Sequence, residues 1–297
     1  MTFSESRLLL VDGHAYAYRS FHAIRSLTSL GGEPTNAIFG FIKAMRKLMA
    51  DLAPSHVGVV WDGGLAAERT ALLPQYKAQR PPMPPDLVRQ MDGLGEWLGA
   101  SGLASLRREG VEADDWIATL AVRFRELGAS VVIATSDKDF LQLVSESVRI
   151  LNPNDKGGGL CGPADVEART GVRPDQIVDW LSLVGDSVDN IPGVPGVGPK
   201  TAAGLLQRFG SWDALTLRLG EVESDRLRGA LERAGEIVAR NRRMIRLRTD
   251  LDPGVAWEGL GRRSADMGRL ATLYRRWGFR SFEAEVSGPE PAQGTFW

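Results

Sequence analysis

The chain holds a single cysteine, Cys161, in 297 residues. One thiol cannot close an intramolecular disulfide, and a zinc site built on cysteines is excluded. Histidine is almost as scarce, at three residues. His14 and His22 are therefore assigned to packing or hydrogen bonding rather than metal ligation. Long apolar runs are also missing. The run near the amino end, MTFSESRLLLVDGH, is too short for a secretory signal, and no stretch approaches a membrane span. These absences fit a reducing cytoplasm, with no membrane partner. Excess charge of either sign is lacking too: 36 Lys and Arg against 37 Asp and Glu leave a net −1. Averaged over the chain, that is poor for a nucleic-acid binder. What remains is an ordinary globular composition, 43% hydrophobic and 25% charged. The length suits one large domain or two ordinary ones.

The near-zero charge hides segregation. Acids gather around 112–115, 137–139 and 186–189. Basic residues gather at 77–89, 107–108 and 240–248, the last with Arg240, Arg242, Arg243, Arg246 and Arg248. A basic patch matters for phosphate contacts more than the total does, although any one such run is ordinarily solvated surface.

Three apolar runs end in carboxylates. They are RLLLVD at Arg7 to Asp12, HVGVVWD at His56 to Asp62, and VVIATSDKD at Val131 to Asp139. Continuous apolar runs read as buried parallel strands. In open α/β sheets, ligands bind beyond the carboxyl ends of such strands. Asp12, Asp62, Asp137 and Asp139 thus stand at ligand-bearing positions. If the backbone stays extended, Asp137 and Asp139 share one side. Val148 to Leu151 reads as a further short strand. The spacing predicts a helix over Tyr16 to Ile24, carrying Arg19 and His22. A second is predicted over Thr35 to Leu52, with Ile38, Phe41, Ile42, Met45, Leu48 and Met49 toward the core.

VEADD, at Val111 to Asp115, opens a helix through Ala121. Glu112 and Asp115 can share a face, with Asp114 adjacent. Acids suit a helix N-terminus, but capping does not call for three in four positions. Glu68 to Gln90 holds Tyr76-Lys77-Ala78-Gln79-Arg80, then Pro81-Pro82-Met83-Pro84-Pro85. Those prolines cannot continue a helix. The stretch reads as an exposed connection of the kind that covers active sites, in which Tyr76, Lys77 and Arg80 could stack on and pair with a nucleic acid.

Val184 to Ala203 reads VGDSVDNIPGVPGVGPKTAA. If its first half is a helical turn, Asp186 and Asp189 project from one face. Its second half, Gly193 to Thr201, is a glycine-rich hairpin, with Pro199 suited to the first turn of a new helix. Gly193, Gly196 and Gly198 let backbone N–H groups approach an anion, and the following helix N-terminus favours negative charge. A nucleotide-binding P-loop needs Gly-Lys without a gap, and here Pro199 separates Gly198 from Lys200. Nine acids at ligand positions are costly to gather without cations, and hard divalent ions prefer such oxygen ligands.

VDGHAYAYRSFHAI, VVWDGG, YKAQRPPMP, EADD, TSDKDFLQL and GDSVDNIPGVPGVGPKTA, in that order, together resemble the 5′-nuclease (flap endonuclease) family. The likeness spans roughly residues 7–250 and is strongest to the 5′-3′ exonuclease domain of bacterial DNA polymerase I. Without a polymerase region, the chain reads as a stand-alone member or an isolated domain. Trp61 stands where that family commonly has Phe. The resemblance implies an α/β fold: a central, mostly parallel sheet flanked by helices (a PIN-like nuclease core), a helical arch and a C-terminal helix-hairpin-helix region. The implied divisions are 1–170 with the arch at about 68–100, then 171–285 with a strand returning to the core, then a tail at 286–297. Asp12, Asp62, Glu112, Asp114 and Asp115 match the family's first metal cluster, and Asp137, Asp139, Asp186 and Asp189 its second. Lys77 matches the basic residue near the cut phosphate, Arg80 a neighbouring arch residue, and Tyr76 a part of the arch. Arg19, Gly193, Gly196, Gly198, Lys200 and Thr201 match the DNA-binding set.

The implied activity is two-metal hydrolysis of DNA phosphodiesters in replication or repair, as a 5′-flap endonuclease and 5′-3′ exonuclease. The implied cofactors are two or three Mg²⁺ or Mn²⁺ ions, with K⁺ at the helix-hairpin-helix. The implied partners are branched or 5′-flap DNA and duplex DNA with a free 5′ end, bound by a monomer. A non-catalytic DNA-structure-binding paralogue is one alternative, a PIN-like ribonuclease another. The first predicts lost carboxylates; the second leaves the hairpin at 193–201 and the arch unexplained. Toward the carboxyl end, Ser211 to Arg243 reads as helical, Arg243 to Leu251 as a returning strand, and Met267 to Phe279 as a last helix. Ser287 to Trp297 reads as a disordered tail.

Overall fold

A computed structural model describes residues 6–155 and 158–287. Residues 288–297 of the expected tail lie outside the described residues. β1 (Arg7–Asp12) runs directly into α1 (Gly13–Ala23), because the Asp12 side chain caps that helix by accepting from Ala15 N at 3.0 Å. Gly13 is required at this junction, since a Cβ would lie 2.6 Å from the Trp61 ring. α2 (Asn36–Leu52) buries Ile38, Phe41, Ile42, Met45 and Leu48 at helical spacing. β2 (His56–Trp61) lies parallel to β1, with Asp12 opposite Val60. After α3 (Ala67–Leu72) the proline run ends in α4 (Pro85–Ala100), whose first turn tolerates Pro85. β3 (Ala104–Arg107), α5 (Ala113–Glu126) and β4 (Ser130–Ala134) follow, and β5 (Val148–Leu151) pairs parallel to β4.

The later part is helical: α6 (Pro163–Thr170) and α7 (Ile177–Val184) come before a tiny antiparallel hairpin of β6 (Gly185–Asp186) and β7 (Ile191–Pro192). Then come α8 (Pro199–Phe209), α9 (Trp212–Thr216), α10 (Asp225–Glu232), α11 (Gly235–Ile245), α12 (Met267–Trp277) and α13 (Arg280–Ser287). The sheet has five strands in the order β3-β2-β1-β4-β5, flanked by helices. This is the α/β class the sequence implied. Among the described residues no helix is long and apolar enough to cross a membrane.

The chain divides into two compact units. One holds Ser6–Trp61, Pro82–Leu106 and the segment from Gly254 onward. Here Gln90 of α4 does the capping that Thr35 does not. Its Oε1 accepts from Ala37 N at 2.8 Å and its Nε2 donates to Asn36 Oδ1 at 3.0 Å. Trp97 Nε1 donates to Tyr274 Oη at 3.0 Å, and the rings of Phe39, Phe279 and Phe282 pack together.

The other unit holds Asp62–Pro81 and Arg107–Pro253. The strand expected over Arg243 to Leu251 does not form. The segment is helical to Ile245 and then runs unpaired over α5. Its backbone is used by side chains instead. Thr119 Oγ1 donates to Arg248 O at 3.1 Å, and Trp116 Nε1 to Pro253 O at 2.8 Å. A ladder would have consumed those carbonyls.

Candidate metal centre and nucleic-acid interface

In the unit holding Arg107–Pro253, the carboxyl end of β4 feeds a tight turn rather than continuing extended. Asp137 caps a short 3-10 helix, Lys138–Leu143, by accepting from Asp139 N at 2.8 Å. The expected strand alternation of Asp137 and Asp139 therefore gives way to a cap and its first-turn neighbour. Asp186 and Asp189 likewise do not sit on a helical turn. They lie in the β6–β7 hairpin, where Asp186 Oδ1 accepts from Val188 N at 2.9 Å and Asn190 takes a left-handed φ of 59°. Gly185 and Gly193 set this hairpin. A Cβ on Gly185 would fall 2.4 Å from Gly193 N, so no side chain fits there.

The hairpin still brings the acids together. Asp139, Asp186 and Asp189 each offer a carboxylate oxygen within 4.8 Å of the others. Asp139 Oδ1 is buried with no hydrogen-bond partner. Burial pushes the Asp139 carboxyl well above its ordinary range, and Asp137, Asp186 and Asp189 push it further. Burial also raises Asp137, against the hydrogen bond from Asp139 N. A carboxylate with a buried oxygen lacking a donor, clustered with two more carboxylates, is a donor set that fits a hard divalent cation.

A second acidic group surrounds Lys77. Its Nζ lies 3.1 Å from Glu112 Oε2, 3.9 Å from Asp114 Oδ2 and 4.0 Å from Asp189 Oδ2. Lys77 takes a left-handed φ of 56°, which turns its side chain inward until it is 8% exposed. Tyr76 Oη donates to Glu112 Oε2 at 3.1 Å, and Ala66 N donates to Glu112 Oε1 at 3.0 Å. Burial alone would raise Glu112, but Lys77 and Arg69 hold it below its ordinary value. Burial pulls Lys77 down, yet Asp114, Glu112 and Asp189 together raise it, so it stays charged.

Arg80, exposed on its outer side, reaches Asp189 Oδ1 at 2.5 Å. Three further bonds clasp residues 75–79 to the hairpin. Lys77 N donates to Asp189 O at 3.1 Å, Gln79 Nε2 to Ser187 O at 3.1 Å, and Asn190 Nδ2 to Gln75 O at 2.9 Å.

One predicted ligand, Asp115, is bound by an arginine. Asp115 is 3% exposed. Its two oxygens accept from Arg69 Nη1 and Nη2 at 2.7 Å each, and Oδ1 also accepts from Arg248 N. Asp62 Oδ1 receives Gly64 N at 3.2 Å beyond β2. Asp12, in the other unit, ends β1 and caps α1, and Arg19 lies exposed on α1.

Gly193 to Thr201 forms a turn closed by Val197 N to Val194 O at 3.0 Å. Gly196 has a φ of 82°, and Gly198 is the N-cap of α8. Val194 and Val197 are buried, while Lys200 is exposed and Thr201 half-buried. The turn thus presents backbone and one lysine outward from an apolar footing.

Arg69 and Lys138 were not singled out from sequence. Arg69 stands in an alanine-rich stretch, and its partners lie 43 and 46 residues away. For Lys138 a signal was present, because it lies between Asp137 and Asp139. Its Nζ is 3.3 Å from Asp186 Oδ2.

Comparison with known proteins matches this arrangement over nearly the whole chain. Residues 7–171 match the model described as "5′-3′ exonuclease, N-terminal resolvase-like domain", and residues 172–268 that described as "5′-3′ exonuclease, C-terminal SAM fold". The chain belongs to the 5′-3′ exonuclease family. A 5′-3′ exonuclease of Aquifex aeolicus is 36% identical over 280 residues, covering 94% of each chain. The thermostable DNA polymerase I of Thermus filiformis is 38% identical over 294 residues, 98% of this chain but 35% of the polymerase. The chain thus spans about a third of the DNA polymerase I relatives it matches. Solved structures share the fold. A bacteriophage T5 flap endonuclease complex with DNA and metal ions aligns with TM-score 0.67 at 20% identity, over 95% of this chain and 98% of that one. The catalytic core of Rad2 in complex with DNA substrate aligns with TM-score 0.65 at 16% identity, over 96% and 93%.

Proposed function

We propose that this 5′-3′ exonuclease family member hydrolyses DNA phosphodiesters near free 5′ ends, on 5′-flap or branched DNA and on duplexes. It acts as a monomer in the bacterial cytoplasm, in replication or repair, with two or three Mg²⁺ or Mn²⁺ ions and K⁺ at the hairpin. The observation that carries the reading is the cluster of Asp139, Asp186 and Asp189, whose ligand oxygens lie within 4.8 Å of one another, on a residue, Asp139, that also keeps a buried oxygen without a hydrogen-bond partner. Nothing in a purely structural role requires that cost.

Asp139, Asp186 and Asp189 would hold one ion, with Asp137 fixing the turn that presents Asp139. Asp62, Glu112 and Asp114 would serve another, together with Asp12 as the family resemblance implies. Asp115 belongs to the same set by resemblance, and both of its oxygens also accept from Arg69. Divalent ions bound there supply positive charge to the attacking and leaving oxygens of the displacement.

The chain's own groups do the rest. Tyr76 and Arg69 fix the Glu112 carboxylate in one orientation. Lys77 carries a permanent positive charge among the acids and offers it to the phosphate as charge develops there. Arg80 exchanges Asp189 for a phosphate of the entering strand. The outward backbone of Gly193 to Gly198, with Lys200 and Thr201, grips duplex phosphates, so binding follows shape and salt rather than base sequence. Arg19 would add a phosphate contact from α1.

The test replaces Asp186 or Asp12 by Ala and follows a labelled 5′-flap duplex with Mg²⁺. Cleavage is expected to vanish in both while binding in Ca²⁺ largely persists. Undiminished cleavage in both variants rejects the metal-ligand assignment.

A further inference from the structure

The arginine-rich stretch at 240–248 is largely neutralised. Arg242 pairs with Asp179 and Asp213, Arg243 with Glu68, and Arg248 with Asp250. Arg240 differs. Its guanidinium rests on a neutral group, the Asn241 side-chain oxygen, at 3.0 and 3.3 Å. No ion pair to a carboxylate is formed by it among the described residues.

Asn241 is a built support. It is fully buried, and its Nδ2 donates to Ser182 O at 2.9 Å and to Pro192 O at 2.8 Å. One amide therefore ties α11 to α7 and to β7, and its remaining oxygen holds Arg240. The arginine is fixed relative to the hairpin that carries Asp186.

Arg240 lines a cleft of about 740 Å³ whose walls include Lys138, Gly185, Asp186, Ser187 and Gly193. Lys138 is the second cation there, half-exposed and 3.3 Å from Asp186 Oδ2. A metal ligand therefore faces the same open cleft as two cations. One of these, Arg240, forms no ion pair among the described residues; the other, Lys138, is paired with that ligand. An elongated anion with regularly spaced charges fits such a cleft; the backbone of a nucleic-acid strand has that form.

We propose that Arg240, braced by Asn241, together with Lys138, takes the phosphates next to the one being cut. The pair thereby sets which bond of the strand reaches the acid cluster. The proposal rests on the nuclease reading above and deepens it.

The experiment compares wild type, Arg240→Gln, Arg240→Lys and Lys138→Gln on one labelled 5′-flap duplex. Binding is measured in Ca²⁺ across a salt series, and cut positions are mapped in Mg²⁺ at single-nucleotide resolution. Arg240→Gln is expected to weaken binding about five-fold and to make the salt slope shallower by about one. Its cuts should spread over neighbouring bonds, and Arg240→Lys should restore most of the slope. Mn²⁺ binding to DNA-free Arg240→Gln, read by electron paramagnetic resonance, should equal wild type. Lys138→Gln should bind Mn²⁺ more tightly, because Asp186 loses its cationic partner.

With wild type cutting normally, an unchanged slope and cut position in Arg240→Gln overturns the proposal. So does a loss of Mn²⁺ binding in Arg240→Gln, which would mark a structural role. Unaltered Mn²⁺ affinity in Lys138→Gln removes Lys138 from the pair. A wild type that neither binds nor cuts the flap rejects the nuclease reading itself.

Discussion

Arg69 grips Asp115 through two parallel hydrogen bonds of 2.7 Å, and the same guanidinium reaches Glu112 Oε2 at 3.0 Å. Its Nε and Nη2 donate to the carbonyls of Met244 and Arg246. Every donor direction of this buried arginine is used, and two buried carboxylates depend on it. It is an internal counter-charge that frees Lys77 to face the other acids.

Replacing Arg69 by Met keeps bulk but strands both carboxylates. The loss of stability should be about 3–5 kcal/mol, as for other broken buried pairs. Urea denaturation in chelator measures it. A change below about 1 kcal/mol would show that Asp115 and Glu112 do not rely on Arg69.

Asp139→Asn removes one of three crowded carboxylates and keeps shape. A carboxyl whose folded value is raised destabilises the folded chain wherever it is ionised, and the penalty fades as pH falls through that raised value. The variant should therefore be more stable than wild type in chelator at neutral pH, by about 1 kcal/mol. The difference should shrink on acidification. Equal melting temperatures at neutral pH would contradict the repulsion.

Divalent ions should reverse that order. Mg²⁺ or Mn²⁺ at about 100 times its dissociation constant adds about 2.7 kcal/mol to a protein that binds it only when folded. Wild type should gain that stability, and Asp139→Asn or Asp186→Asn should gain little of it. Thermal melts with and without ion give the answer. Full stabilisation of both variants would move the ion away from the hairpin.

Lys200 is exposed at the start of α8 and needed for no internal ion pair among the described residues. Lys200→Ala should weaken binding about equally on unrelated duplex sequences and lower the salt slope by about one. A loss confined to one sequence would mean base readout.

Much of this is legible in the sequence. Asp12, Asp62 and Asp137 follow apolar runs, because buried parallel strands must be apolar throughout and their carboxyl ends must open toward ligands. α2 was legible because its apolar stripe repeats at helical spacing. The local geometry of Asp186 and Asp189 was not. Three-residue spacing suits a helix, but Gly185 and Gly193 meet backbone to backbone and force a hairpin. That contact exists only in the folded chain. Asp115 looked like a ligand because it stands beside Asp114. What it also holds is Arg69, 46 residues earlier, together with a backbone N–H 133 residues later. Local pattern carries no trace of either. The strand expected near 243–251 does not form, and α5 side chains take both the N–H and the carbonyl of Arg248. β3, four residues long, gave too short a period to see.

The most direct measurement is cleavage of one 5′-labelled flap duplex by wild type and Asp186→Ala, each with Mg²⁺ and with chelator. Wild type should release short 5′ products in Mg²⁺ and none in chelator, while Asp186→Ala binds the duplex and leaves it intact. Release of the same products by Asp186→Ala, or by wild type in chelator, would contradict a metal centre at Asp139, Asp186 and Asp189.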